Sequence, residues 1–88
     1  MEELQKNTIQ IVIDTPSNGW SHLVSSDIKS LHDFAERIGL KKYMFENKRG
    51  KKQPHYDINS KYFELAIKAG VKLITRKELF NFLKKTYG

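Results

Sequence analysis

Two stretches of the chain are built alike. Phe34-Ala35-Glu36-Arg37-Ile38-Gly39-Leu40-Lys41 and Leu65-Ala66-Ile67-Lys68-Ala69-Gly70-Val71-Lys72 each read as a helix end that passes through glycine into a strand. Glycine tolerates the left-handed backbone that stops a helix, so the likeness reflects the physics of a helix-to-strand junction more than duplication. Two such junctions in 88 residues commit the chain to alternating strands and helices, and that order favours a parallel sheet with right-handed crossovers.

The remaining segments fill in this alternation. Thr8-Ile9-Gln10-Ile11-Val12-Ile13-Asp14 is rich in β-branched residues with Ile9, Ile11 and Ile13 in alternation, the period of a strand. Thr15-Pro16-Ser17-Asn18-Gly19 then takes the chain out of the sheet into a loop holding Trp20 and His22. From Asp27 to Ile38, Ile28, Leu31, Phe34, Ala35 and Ile38 recur at helical spacing, with Ser25, Ser26 or Asp27 to cap the start. Lys41 to Glu46 reads as a second strand, followed by the polar loop Asn47 to Gln53. A second helix starts at Asp57 or Asn59 and stops at Gly70, and Val71 to Ile74 is the third strand. Thr75-Arg76-Lys77-Glu78 has the spacing of a capping box, with Ile74 and Leu79 as its hydrophobic staple and Leu79, Phe80, Phe82 and Leu83 as the buried face of a last helix. The predicted architecture is a single α/β domain over 1–88, with 1–7 flexible. Its order is β-α-β-α-β-α in two or three layers, around a short three-stranded parallel sheet with the first strand in the middle.

Composition bounds the chemistry. A chain of this length supports one core, and a hydrophobic fraction of 39% is that of a globular protein. The absence of cysteine removes disulfides, thiolate metal sites and thiol nucleophiles, so any metal would need His and carboxylate ligands. Met1 to Asn7 has neither the basic start nor the apolar run of a signal peptide, and nothing later approaches the roughly 20 apolar residues of a bilayer span. The expectation is a cytoplasmic protein with no membrane partner. A net charge of +6 favours polyanions or phosphates.

In an open parallel sheet, ligands sit outside the carboxyl ends of the strands. That edge collects Asp14, Thr15, Trp20 and His22 after the first strand. Lys48, Arg49, Lys51, Lys52, His55, Tyr56 and Asp57 follow the second, and Thr75, Arg76 and Lys77 the third. Helix N-termini and the basic side chains suit phosphate oxygens, while Trp20 and Tyr56 suit stacking on a base. No glycine-rich phosphate loop is present. Plainer roles stand beside these: an Asx-turn over Pro16 for Asp14, a core plug for Trp20, a loop-fixing hydrogen bond for His22, a helix cap for Asp57 and a solvated surface loop for the basic segment. His32 reads as a histidine on a helix surface.

Ile11-Val12-Ile13-Asp14, Trp20-Ser21-His22-Leu23-Val24-Ser25, Pro54-His55-Tyr56-Asp57-Ile58 and Ala69 to Leu79 together resemble a small family of bacterial and phage proteins known as domain of unknown function 4031. The resemblance implies that Trp20, His22, His55, Tyr56 and Asp57 form one site. The basic loop is more elaborate than the family pattern, so a role for it is particular to this chain. Occurrence in phages implies, by analogy, an anti-defence protein that sequesters a signalling nucleotide.

The leading expectation is therefore a binding module, with no cofactor and no metal, for a nucleotide, cyclic nucleotide or other phosphorylated small molecule. The ligand is held by Trp20, His22, His55, Tyr56, Asp57, Thr75, Arg76 and the cationic side chains of the loop. A second is a metal-dependent phosphoesterase or nuclease using Asp14, His22, His55 and Asp57 as metal ligands or as acid and base, although their spacing fits no familiar metal motif. A third is a protein- or nucleic-acid-binding inhibitor working through its basic face. The two open edges of a three-stranded sheet also leave room for a homodimer.

Overall fold

In the computed structural model, residues 9–46 and 53–87 are described. The first strand, β1 (Ile11–Asp14), does not lead into a long loop. It turns back through Ser17 and Trp20, whose backbones exchange two hydrogen bonds at 2.8 and 3.1 Å. The two residues between them, Asn18 (φ 55°) and Gly19 (φ 82°), both occupy left-handed backbone, the requirement of a tight hairpin turn matched to strand twist. The returning chain is β2 (Ser21–Ser25), antiparallel to β1 with Ile13 opposite Leu23.

The helix α1 (Ile28–Arg37) is capped by Asp27, whose carboxylate accepts from the Ser30 N–H at 2.9 Å. A 3₁₀ turn (Lys42–Met44) and a two-residue strand β3 (Phe45–Glu46) come next. They are followed by β4 (His55–Ile58), α2 (Ser60–Lys68), β5 (Lys72–Ile74) and α3 (Arg76–Tyr87). Asn59 caps α2, accepting from the Tyr62 N–H, which leaves Asp57 free of that task. The predicted capping box of α3 is formed: the Thr75 N–H donates to Glu78 and the Glu78 N–H to the Thr75 hydroxyl.

The two look-alike junctions close in one way. Leu40 N–H reaches the Ala35 carbonyl and Gly39 N–H that of Glu36, and Val71 and Gly70 repeat the pattern on Ala66 and Ile67. Both glycines hold φ near +90°, the Schellman stop.

Among the described residues, the sheet has five strands in the order β3-β4-β2-β1-β5. Only β1 and β5 run parallel; β1 with β2, β2 with β4, and β4 with β3 are antiparallel. The expected three-stranded parallel sheet is thus replaced by a mixed one, because two segments expected as loops, Ser21–Ser25 and His55–Ile58, are strands lying between the first and second expected strands. The second expected strand shrinks to the 3₁₀ turn and β3.

Alternation along these strands divides the side chains between two faces. Ile13, Leu23, Tyr56 and Ile58 pack with Leu31, Phe34, Ala35 and Leu40 and with Ala66 of α2. Val12, Val24 and Ile74 face the other way, onto Leu79, with Phe82 and Leu83 against them. Phe80, expected on the buried face of the last helix, is instead 66% exposed, because the stripe of α3 that meets the sheet is set by Leu79, Phe82 and Leu83. The far end of α3 is tied down by the Tyr87 hydroxyl, which donates to the Ser25 carbonyl at 2.6 Å. Among the described residues, no helix is long and apolar enough to cross a membrane.

Candidate functional site

On the face that carries α3, beyond the apolar Val12, Val24 and Ile74, the residues alternating with the core positions are polar. Asp14 follows Ile13 on β1, His22 precedes Leu23 on β2, and His55 and Asp57 flank Tyr56 on β4. Register lines them up, with His22 directly opposite Asp57 and Ile13 opposite Leu23, so Asp14, His22 and Asp57 form a row across three strands with His55 beside it. A single helix cannot cover five strands, and α3 lies on the β1 and β5 side. The row stands where its cover ends.

The Asp14 side chain is fully buried and its two oxygens are both engaged by one residue. The His22 backbone N–H donates to Oδ1 at 2.6 Å, and the His22 ring Nδ1 lies 3.0 Å from Oδ2. Arg76 Nε stands 3.9 Å from the same Oδ2. Burial pushes the Asp14 carboxyl up, but the hydrogen bonds from the His22 ring and backbone, with the charges of His22 and Arg76, outweigh it and hold the group below its ordinary value. The His22 imidazole is raised, mainly by its hydrogen bond to Asp14. Desolvation opposes that rise, the charges of Asp14 and Asp57 add to it, and Arg76 works against it.

The ionised Asp14 accepts only, so Nδ1 of His22 carries a proton and Nε2 is turned outward, 3.7 Å from Asp57 Oδ1. His55 is set in the same way by a different acceptor. Its Nδ1 donates to the Gln53 carbonyl at 2.8 Å, and its Nε2 points to Asp57 Oδ1 at 3.2 Å. The two rings meet edge to face with centroids 5.4 Å apart. Two imidazole nitrogens therefore converge on one carboxylate oxygen, each ring aimed by a hydrogen bond on its far side.

Beside this cluster lies a cleft of about 320 Å³. Its lining mixes polar residues, Asp14, His22, His55, Arg76 and Gln53, with apolar ones, Val24, Leu79, Phe80 and Leu83. Asp14, His22, His55, Asp57 and Arg76, all singled out in the sequence, are thus brought together. Other expected site residues lie elsewhere. Tyr56 is on the opposite face, buried against Phe45, with its hydroxyl 2.7 Å from His32 Nδ1. Trp20 stands at the hairpin tip, 53% exposed and outside the cleft lining. The Thr75 hydroxyl and N–H are occupied by the cap of α3. Lys48, Arg49, Lys51 and Lys52 lie outside the described residues. Sequence reasoning missed Phe80 and Gln53: the first sits in an apolar helical stripe that reads as core, and the second acts only through its backbone carbonyl, which no side-chain pattern reveals.

The fold and cleft define a small α/β domain with a mixed sheet and a convergent His–Asp site at the border of its one-helix face. The chain belongs to the DUF4031 family, a family of proteins of unknown function whose sequence profile matches residues 10–86. No curated protein and no solved structure matches the chain in the corresponding comparisons.

Proposed function

We propose that the cleft binds a phosphorylated small molecule with a flat apolar part, in the simplest case a nucleotide or cyclic nucleotide. One observation supports this reading: the cationic and hydrogen-bonding groups of Arg76, His22 and His55 line one cleft together with the apolar side chains of Phe80 and Leu83. Guanidinium and imidazole groups suit phosphate oxygens, and an exposed phenyl ring suits the face of a base. Phe80 takes the stacking role that the sequence reserves for Trp20 or Tyr56. The first turn of α3 adds a positive dipole end to the side of the cleft where Arg76 lies.

The test is retention. Purified protein is incubated with a panel of linear and cyclic nucleotides in excess chelator, filtered away, heat-denatured, and both fractions are chromatographed. A compound that disappears from the filtrate and returns unaltered on denaturation supports binding, and Arg76→Ala is expected to weaken retention. A compound hydrolysed in a parallel incubation without chelator makes the protein a phosphoesterase and gives His22, His55 and Asp57 reacting roles. If every compound stays in the filtrate, the nucleotide reading fails. Nucleic-acid binding that weakens steeply with salt would then point to the basic face instead.

A further inference from the structure

We propose that His22, His55 and Asp57 form a binding site for one divalent transition-metal ion, zinc being the best chemical match, and that Asp14 and the Gln53 carbonyl act as its orienting partners. The donor atoms of the three residues lie within 4.8 Å of one another. Two of the separations are 3.2 and 3.7 Å, from His55 Nε2 and His22 Nε2 to the same Asp57 oxygen. Donors held about 2.1 Å from a tetrahedral ion stand about 3.4 Å apart, so these separations bracket the spacing such an ion imposes.

The hydrogen bonds behind the rings point the same way. With Nδ1 of each histidine donating, to Asp14 and to the Gln53 carbonyl, each neutral ring carries its lone pair on Nε2, directed at a carboxylate oxygen. Either a proton on a ring or a cation between the groups separates such facing lone pairs, and only the cation can meet all three donors together. One divalent ion satisfies all three donors at once. An imidazole oriented by a carboxylate or a backbone carbonyl on its far nitrogen is the usual outer arrangement of a histidine metal ligand, and here both histidines have it.

Two nitrogens and one oxygen suit an ion of borderline softness, and three protein ligands leave a coordination position for water or a ligand oxygen, the pattern of reactive rather than structural sites. Asp14 differs in role from its neighbours: both of its oxygens are taken by His22, so it positions a ligand and does not coordinate. That also accounts for the weak sequence signal. The ligands come from two strands that are neighbours in the sheet and distant in the chain, and the short His55–Asp57 spacing alone makes no metal motif.

The full chain, stripped with EDTA and dialysed, is titrated with Zn²⁺ by calorimetry with no nucleotide present. One-to-one uptake is expected, lost in His22→Ala and in His55→Ala. Asp14→Asn should keep the stoichiometry while weakening affinity about 10–100-fold, and unchanged affinity there would remove its positioning role. On the unmutated protein, imidazole ¹⁵N spectra are expected to move Nε2 of His22 and His55 on zinc addition and to leave both Nδ1 protons in place and His32 unaffected. This readout does not depend on any variant folding. Absence of uptake, or uptake that leaves the His22 and His55 resonances in place, overturns the site. The proposal does not rest on the nucleotide reading: nucleotide retention in chelator with no zinc uptake defeats the metal alone, and zinc uptake with no nucleotide retained defeats the binding reading alone.

Discussion

On the face covered by α1 and α2, the strands present Ile13, Leu23, Tyr56 and Ile58, all buried, to helices that close over them. One residue along, the same strands present Asp14, His22, His55 and Asp57 to a face where, among the described residues, α3 is the one helix and leaves a cleft beside them. The contrast shows how so small a domain holds polar groups in place. Each site residue has a core residue as its immediate neighbour in a strand, so the packing that stabilises one face sets the aim of the side chains on the other. Polar residues in the uncovered part avoid an exposed apolar patch, and hydrogen bonding among them offsets the cost of burying Asp14.

The sharpest way to break this contrast is to mutate adjacent positions of one strand pair. Leu23→Ala removes a fully buried side chain and is expected to cost about 2–5 kcal/mol in denaturant unfolding; a loss below about 1 kcal/mol would mean that this face is not the stabilising one. Asp14→Ala should cost less, about 1–3 kcal/mol, since it leaves the His22 backbone N–H without its acceptor. No change in the unfolding midpoint would show that the polar row contributes nothing to folding.

A smaller effect separates the faces by pH, measured on metal-free protein. Asp14 is held below the ordinary 3.8, so its contribution is complete above that pH and disappears as pH falls through the lowered value in the fold. His22 is raised above the ordinary 6.5, so its contribution is complete below that pH and disappears as pH rises through the raised value. The pair's share of stability is thus complete between 3.8 and 6.5, and Asp14→Asn should flatten both flanks of the thermal-melt profile. Smallest of all, Phe80→Ala should change stability by no more than about 0.5 kcal/mol, as for an exposed position. The same change should lower nucleotide affinity about fivefold or more; equal affinity in the two proteins would take Phe80 out of the cleft's binding surface.

The helices were legible in the sequence because their signals are local: the Asp27 and Asn59 caps, the Thr75–Glu78 box and the two glycine stops each lie within a few residues. The strands that matter most were not. In Ser21–Ser25, the inward-facing residues include two serines and the other face carries His22 and Val24, so no polar-apolar alternation marks it. His55–Ile58 does alternate, but Pro54 before it and the capping habit of aspartate favour a loop and helix start. Asn18-Gly19 was the available clue, since that pair is the strongest short hairpin signal. Reading the five turn-forming residues around it as an exit from the sheet left β2 unseen, and with it the antiparallel pairing. The residues of the site were nonetheless recognisable as unusual. Their alignment was not, because register is a relation between strands and is written in neither strand alone.

The hairpin also makes part of the site local in the chain. Asp14 and His22 are eight residues apart across a two-residue turn, so their pair can form with the hairpin, on a scale of about 1–10 μs for such units. His55 and Asp57 arrive only when β4 docks on β2 from beyond α1, after a much longer loop has closed. The Asp14–His22 contact thus closes only a short loop, whereas the complete His–Asp cluster requires the pairing of β4 with β2.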